Sequence, residues 1–463
     1  MNMFSDQTLV VAGLGDTGLS CVNFLASQGA RVSVQDSRGH PPHEQTMLRM
    51  YPHIPLKTGG FSKTEIMKSD GLIVSPGISL EEPVIAQAKK AGVPILGDIE
   101  IFARVLQRLP YCPVVLAITG SNGKSTVTEL AGSMCRSAGL KTVVAGNIGL
   151  PVLDVVMNGL LESVEAIVLE LSSFQLETTE SLDADVATVL NVTQDHMDRY
   201  AHMKAYAEAK ARIFQGGGVQ VLNREDAYSH AMAIPDRRIV TFGLNEPDGE
   251  DHYGIQSVEK MDYLVKGGQP IIPVSTLPLI GLHNTANVIA AMALCEEAGL
   301  ERSALLQAVT IFKGLPHRMM KVGMIGGVTF IDDSKGTNVG ATIAALEGLG
   351  SPSVLIAGGD GKGQDFSAMR AVVDAYARAV VLIGRDACRI EQALSGSSVP
   401  VLGASDMEDA VVKAYALAHA GDYVLMSPAC ASFDMFRNYV HRAEVFLSAM
   451  IKLQQGELNG PLQ

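Results

Sequence analysis

Short apolar runs rich in Val, Ile, Leu and Ala recur along the chain, and most end in a glycine, a hydroxyl residue or an acid. Examples are Thr8-Leu9-Val10-Val11-Ala12-Gly13, Ala166-Ile167-Val168-Leu169-Glu170, Ala187-Thr188-Val189-Leu190-Asn191, Val328-Thr329-Phe330-Ile331-Asp332-Asp333, Ser353-Val354-Leu355-Ile356-Ala357-Gly358 and Asp422-Tyr423-Val424-Leu425-Met426-Ser427. Runs without polar alternation read as strands buried on both faces, the pattern of parallel sheets. Amphipathic stretches lie between them, among them the helix-like segment from Asn284 to Ala298. Strand and helix in alternation predict an α/β protein with mostly parallel sheets, whose ligand loops sit at the carboxyl ends of strands.

With 463 residues the chain exceeds one hydrophobic core, and the runs fall into three blocks. The expected divisions are 1–102, a Rossmann-like unit; 103–313, a phosphate-loop unit; and 314–463, a second Rossmann-like unit. A hydrophobic fraction of 47% with only 5% aromatic residues and no Trp fits aliphatic strands covered by helices. The formal charge of -13, without a basic run, argues against nucleic acid as a partner. Six cysteines lack metal-ligand spacing, and no apolar run reaches the length of a membrane span. A cytoplasmic monomer without a membrane span is expected.

The most informative stretch is Leu116-Ala117-Ile118-Thr119-Gly120-Ser121-Asn122-Gly123-Lys124-Ser125-Thr126. A strand runs into a glycine-containing turn and Lys-Ser-Thr opens a helix, so backbone N–H groups of Gly120, Ser121, Asn122 and Gly123 can cradle phosphates. Lys124 neutralises the terminal phosphates, Ser125 offers a hydroxyl to Mg²⁺, and ATP is the implied cosubstrate. Ile118 stands where the strict P-loop carries glycine, which points away from motors and GTPases toward ligases that join a carboxylate to an amine. Gly13-Leu14-Gly15-Asp16-Thr17-Gly18, with Asp36 ending the next strand, fits either a dinucleotide-binding dehydrogenase or a dock for the diphosphate of a nucleotide-linked substrate. Ser75-Pro76-Gly77-Ile78 would add donors to the second reading. Glu170, at a strand end, suits a Mg²⁺ ligand. His196 reads equally as a metal ligand or an ordinary hydrogen-bonded histidine, and spacing alone makes Lys210 a surface lysine on a helix.

In this order the motifs resemble the Mur ligases of bacterial cell-wall synthesis over essentially the whole chain. The resemblance rests on Thr119–Ser125, Gly146-Asn147-Ile148-Gly149, Glu170-Leu171-Ser172-Ser173-Phe174-Gln175, Asp195-His196-Met197-Asp198, Gly281-Leu282-His283-Asn284, Pro316-His317-Arg318, Asp333-Ser334-Lys335-Gly336-Thr337-Asn338, Gly358-Gly359-Asp360-Gly361-Lys362 and Ser427–Asp434. Within the family, Gly97-Asp98-Ile99-Glu100 and Ser427-Pro428-Ala429-Cys430-Ala431-Ser432 are similar to the member that adds D-glutamate, while folylpolyglutamate synthetases share several of the other motifs.

The resemblance implies ATP-driven joining of D-glutamate to UDP-N-acetylmuramoyl-L-alanine through an acyl phosphate. It implies two Mg²⁺ ions, held by Ser125, Glu170, His196 and a carbamylated Lys210, with Lys124, His196 and Lys210 as the catalytic set. ATP would meet Gly120–Thr126, Asn284, Asn287, Arg318 and Asp333. The UDP-substrate would meet Asp16, Thr17, Ser37, Arg38, Ser75, Gly77 and Asn147. D-Glutamate would meet Lys335, Thr337, Lys362, Ser432, Phe433 and Tyr439. Phe433 replaces a frequent aliphatic residue and Tyr439 a usual Phe.

Overall fold

The computed structural model describes residues 3–458, which contain three sheets in chain order. The first comprises β1 (Thr8–Ala12), β2 (Arg31–Asp36), β3 (Leu56–Thr58), β4 (Gly71–Val74) and β5 (Ile95–Leu96). These pair in parallel in the order β3-β2-β1-β4-β5. Gly13 leaves β1 at φ +94°, and helix Asp16–Ser27 starts so close to it that a Cβ on Gly18 would lie 1.9 Å from the Gly13 carbonyl oxygen. Only glycine permits that return.

The second sheet is formed by β6 (Val114–Thr119), β7 (Thr142–Gly146), β8 (Ala166–Glu170), β9 (Val186–Val189), β10 (Val219–Asn223), β11 (Ile239–Phe242), β12 (Tyr253–Val258), β13 (Met261–Lys266) and β14 (Gln269–Pro273). Its order is β14-β13-β12-β11-β10-β9-β6-β8-β7, parallel except for the β12–β13–β14 edge. Helix Lys124–Ser137 buries Val127, Leu130, Ala131 and Met134, a three–four spacing that forms one apolar stripe. The stripe shares a core with helix Leu282–Glu297, in which Asn287 through Cys295 are all buried.

The third sheet contains β15 (Met320–Ile325), β16 (Val328–Asp332), β17 (Ser353–Gly358), β18 (Ala377–Ile383), β19 (Val401–Gly403) and β20 (Tyr423–Met426). Its order is β15-β16-β20-β17-β18-β19, and only the β15–β16 pair is antiparallel. The three-domain α/β class expected from the apolar runs is the class observed. The antiparallel edges carry more polar, partly exposed residues, so no continuous apolar run marks them.

Helix Asp98–Leu106 fastens the first sheet to the second. Glu100 accepts the backbone N–H groups of Glu180 and Ser181 at 2.8 and 2.9 Å and pairs with Arg104 at 2.8 Å. Asp98 accepts Gln175 Nε2 at 3.2 Å, and burial pushes its carboxyl up to about 6. Because the folded state keeps this proton above the ordinary carboxylate range, stability contributed below pH ~4 is lost as pH rises to ~6, by about 3 kcal/mol. Asp98→Asn is therefore expected to raise the melting temperature at pH 7–8 and to have little effect near pH 4, as checked by calorimetry across that range. An equal shift at both ends would remove the titration from the account.

Candidate active site

The phosphate loop leaves β6 at Thr119 and closes at Gly123, whose φ of +83° and packing against Asn287 exclude a side chain: a Cβ would lie 2.3 Å from Asn287 Oδ1. Lys124 Nζ donates to the carbonyls of Gly120 and Ser121 at 2.9 and 3.0 Å. Burial lowers its pKa, while Glu170 and Asp195 oppose that shift. From the third sheet's unit, Arg318 Nη2 donates to Ser125 Oγ at 2.8 Å, so the loop is already bridged between units. A cavity of about 270 Å³ lies at this junction, lined by Asn122, Gly123 and Thr126 of the loop, Asn284 and Asn287 of the long helix, and Arg318, Asp333 and Lys335. Asp333 accepts Ser427 Oγ at 2.7 Å, yet burial pushes its carboxyl up to about 7.

Glu170 ends β8 beneath the loop. Its Oε1 accepts Asn147 Nδ2 at 2.6 Å, and its Oε2 is buried without a partner. Among the described residues no group of three or more His, Cys, Asp or Glu side chains forms a metal cluster. A lone unpartnered carboxylate oxygen fits Mg²⁺, which takes one or two protein ligands and completes its shell with water and phosphate. His196 adopts φ +56°, with its ring 4.8 Å from Phe174 between centroids. Burial lowers its pKa against the pull of Asp195, which favours the neutral, metal-ligating form of the imidazole.

The surface position that spacing gave Lys210 is corrected by the structure. The residue is only 1% exposed, its Nζ donates to Gly120 O at 2.8 Å, and it lies 4.5 Å from the Tyr206 ring centroid. Burial, then the neighbouring Lys124, push its pKa well below that of an ordinary lysine. Met203, Tyr206, Ala207 and Lys210 occupy one face of helix Met203–Ala211 at three–four spacing, a signal that places the lysine on the inward stripe.

A second cavity of about 590 Å³ opens at the carboxyl ends of β1, β2 and β4. Asp16, Thr17, Ser37, Arg38, Ser75 and Gly77 line it from the first unit, and Asn147 from the second. Asp36, the strand-end acid a dehydrogenase would turn toward a ribose, is fully engaged. Its oxygens accept the Leu14 N–H at 2.7 Å, the Arg38 N–H at 2.8 Å and the Arg38 guanidinium at 2.9 and 2.7 Å. That saturates the lone pairs of a carboxylate. Burial alone would raise its pKa, but Arg38 and these N–H groups hold it below the ordinary value.

The residues expected around the amino acid spread over three loops, after β16, β17 and β20, and a helix start. Lys335 Nζ lies 3.9 Å from the Tyr439 ring centroid, lines the cavity at the phosphate loop, and is pushed down to about 8 by burial and by Arg318. Ser432 is buried, Thr337 and Lys362 are partly exposed, and Phe433 is 74% exposed. Arg442 was not singled out from the sequence. Buried on helix Tyr439–Gln454, it donates to Ser334 O at 2.7 Å and Cys430 O at 3.0 Å, and so ties two site loops together. A charged residue on the same face as Ala443, Phe446 and Ala449 was the available signal.

Three parallel-sheet units, with a phosphate loop facing one cavity and a glycine turn facing another, define an ATP-dependent ligase architecture. Family models match in the same order: "Mur ligase MurD-like, N-terminal domain" over residues 7–97, "Mur ligase middle domain" over 118–295 and "Mur ligase, glutamate ligase domain" over 317–430. The chain belongs to the Mur ligase family. It is 53% identical over 459 residues to a UDP-N-acetylmuramoylalanine–D-glutamate ligase of Methylobacillus flagellatus, covering 99% of this chain and 100% of the relative. It is 54% identical over 463 residues to the enzyme of that name from Thiobacillus denitrificans, covering 97% of each. The fold is similar to that of MurF from Acinetobacter baumannii (TM-score 0.59, 16% identity, 96% of this chain and 92% of the other). It is also similar to UDP-N-acetylmuramate-alanine ligase MurC from Thermotoga maritima (TM-score 0.57, 19% identity, 96% and 100%). Among the described residues no helix is long and apolar enough to cross a membrane.

Proposed function

We infer that the protein is an ATP-dependent ligase that joins D-glutamate to UDP-N-acetylmuramoyl-L-alanine in peptidoglycan precursor synthesis. The full-length relatives support the substrates, and one contact carries the geometry: Asn147, in the wall of the glycine-turn cavity, hydrogen-bonds Glu170 beneath the phosphate loop. A carboxylate on a substrate lying in that cavity would thus reach the terminal phosphate of ATP. The substrate carboxylate is a poor electrophile toward an amine, and phosphorylation gives it a leaving group. In this reading residues 1–102 hold the UDP-substrate, 103–313 the ATP and 314–463 the amino acid.

Lys124 and Arg318 neutralise charge on the transferring phosphate, the main task in phosphoryl transfer. Asn284, Asn287 and Asp333 orient the nucleotide. Ser125 and Glu170 would hold one Mg²⁺ and His196 with a carbamylated Lys210 the other; bound there, Mg²⁺ supplies charge neutralisation. Lys362, Thr337 and Ser432 receive the D-glutamate carboxylates, with Lys335, Phe433 and Tyr439 bordering the entry. Closure of the third unit over the other two keeps water from the acyl phosphate.

Phosphate release measured with UDP-N-acetylmuramoyl-L-alanine and a panel of D- and L-amino acids tests this reading, with NAD(P)H absorbance as a control. D-Glutamate is expected to support turnover and L-glutamate to be a very poor acceptor, because the L-form cannot bring both carboxylates and the amine to three fixed points. Thr337→Ala and Ser432→Ala are each expected to weaken D-glutamate use by about 1–3 kcal/mol, the cost of an unmade hydrogen bond to a charged group. Their apparent ATP affinity should stay within a fewfold. A defect appearing in ATP instead would move the amino-acid pocket elsewhere.

A further inference from the structure

Asn338 closes the Asp333–Asn338 motif, and no role in binding or chemistry has yet fallen to it. It is 4% exposed and lies where the third unit meets the phosphate loop. Its Nδ2 donates to Asn122 Oδ1 at 3.0 Å and to Asp195 Oδ2 at 3.4 Å, while Asn122 Nδ2 returns a bond to its Oδ1 at 3.3 Å. Asn122 belongs to the loop that wraps the phosphates and is itself fixed by Asn191 and Thr193. Asp195 accepts the backbone N–H of His196. One amide thus joins the amino-acid unit to both the phosphate loop and the histidine segment.

The same helix, Val339–Leu349, continues this seam. A Cβ on Gly340 would lie 2.9 Å from Thr193 Oγ1, and His283 Nδ1 meets Ala344 O at 3.0 Å one helical turn further on. Among the described residues no ion pair crosses the seam at the loop; its directional contacts are neutral or singly charged hydrogen bonds, of which the Asn338–Asn122 exchange is the reciprocal one, beside Arg318–Ser125 and His283–Ala344.

We propose that Asn338 is a positioning residue that locks the amino-acid unit onto the phosphate loop, so that the D-glutamate amine meets the acyl phosphate only when the loop is in its nucleotide-binding form. The proposal rests on the reading above for the identity of the amino acid, but the contact itself does not.

Asn338 also caps its helix, since Oδ1 accepts the Ala341 N–H at 2.8 Å. Substitutions can separate the two roles. Ser and Asp are both good N-caps, and neither reproduces the amide donor toward Asn122 and Asp195. Asn338→Ser is expected to keep the wild-type melting temperature, and both Asn338→Ser and Asn338→Asp to lose about 10–100-fold in kcat, as a misplaced acceptor would. The Asp variant should be the worse, because it sets a second carboxylate against Asp195. KM for D-glutamate should rise and KM for the UDP-substrate should stay unchanged. In small-angle scattering with Mg²⁺ and a non-hydrolysable ATP analogue, Asn338→Ser should remain more extended than the wild type. A Ser variant with kcat within about twofold of wild type, or with an unchanged scattering profile, overturns the proposal. So does a melting temperature that falls as far as in Asn338→Ala, which would reduce the residue to its cap. Wild-type turnover on the amino-acid panel tests the substrate reading separately, and the scattering comparison needs only the nucleotide.

Discussion

Lys124→Ala is expected to lose product formation by at least about a thousandfold and still to bind UDP-N-acetylmuramoyl-L-alanine within a fewfold of the wild type. The first half follows from the position of Nζ, which is held by the Gly120 and Ser121 carbonyls at the mouth of the loop. An ammonium held there stands at the loop where the phosphate charge arrives. The second half follows from the separation of the cavities: none of the residues around the glycine-turn cavity is Lys124 or touches its side chain through a hydrogen bond. The variant should also stay folded. It leaves the Ser121 carbonyl without its lysine partner but removes a desolvated cation, and Gly120 O keeps the Lys210 ammonium. Calorimetric titration of the UDP-substrate beside a phosphate-release assay checks both halves. A folded variant that no longer binds the UDP-substrate would place both ligands on one unit.

The fold was legible wherever buried parallel strands produced continuous apolar runs. The run Ala166-Ile167-Val168-Leu169-Glu170 is β8 itself, and Lys124 opens its helix as the loop pattern requires. The loops were legible because phosphate cradles need glycine at fixed offsets, as Gly18 and Gly123 illustrate. What was not legible lies where a charged side chain points inward. Lys210 and Arg442 each sit on an apolar helical stripe, but a single polar residue in a short helix changes the periodicity little. Asn338 was hidden for another reason. Its partners across the seam are Asn122 and Asp195, far away in the chain, and its one local sign, the N-cap bond to Ala341, tells nothing of contacts made between two domains.

Lys210→Ala is expected to be nearly inactive and to be partly restored by acetate, whereas Lys210→Arg should stay inactive at any acetate concentration. The argument begins with an electrostatic conflict. Lys124 and Lys210 both donate to the Gly120 carbonyl, so two ammonium groups share one acceptor in a buried site. Two like charges roughly 5 Å apart cost about 3 kcal/mol at an effective dielectric of about 20. Burial and that repulsion push Lys210 well below an ordinary lysine, which favours the neutral amine, the form that attacks CO₂. Addition of CO₂ would give a carbamate and release a proton, and the repulsion toward Lys124 would become an attraction. The product would also be an oxygen donor toward His196. Alanine leaves room for acetate to bring back such a carboxylate; arginine keeps the cation and fills the space. The check does not depend on activity alone. Enzyme equilibrated with ¹³C-bicarbonate should give a carbamate carbon resonance that is absent from Lys210→Ala, and wild-type turnover should fall in CO₂-depleted buffer and return with bicarbonate. A fully active alanine variant, or a wild type with no such resonance, would leave Lys210 as a buried amine whose work is done by its bond to Gly120.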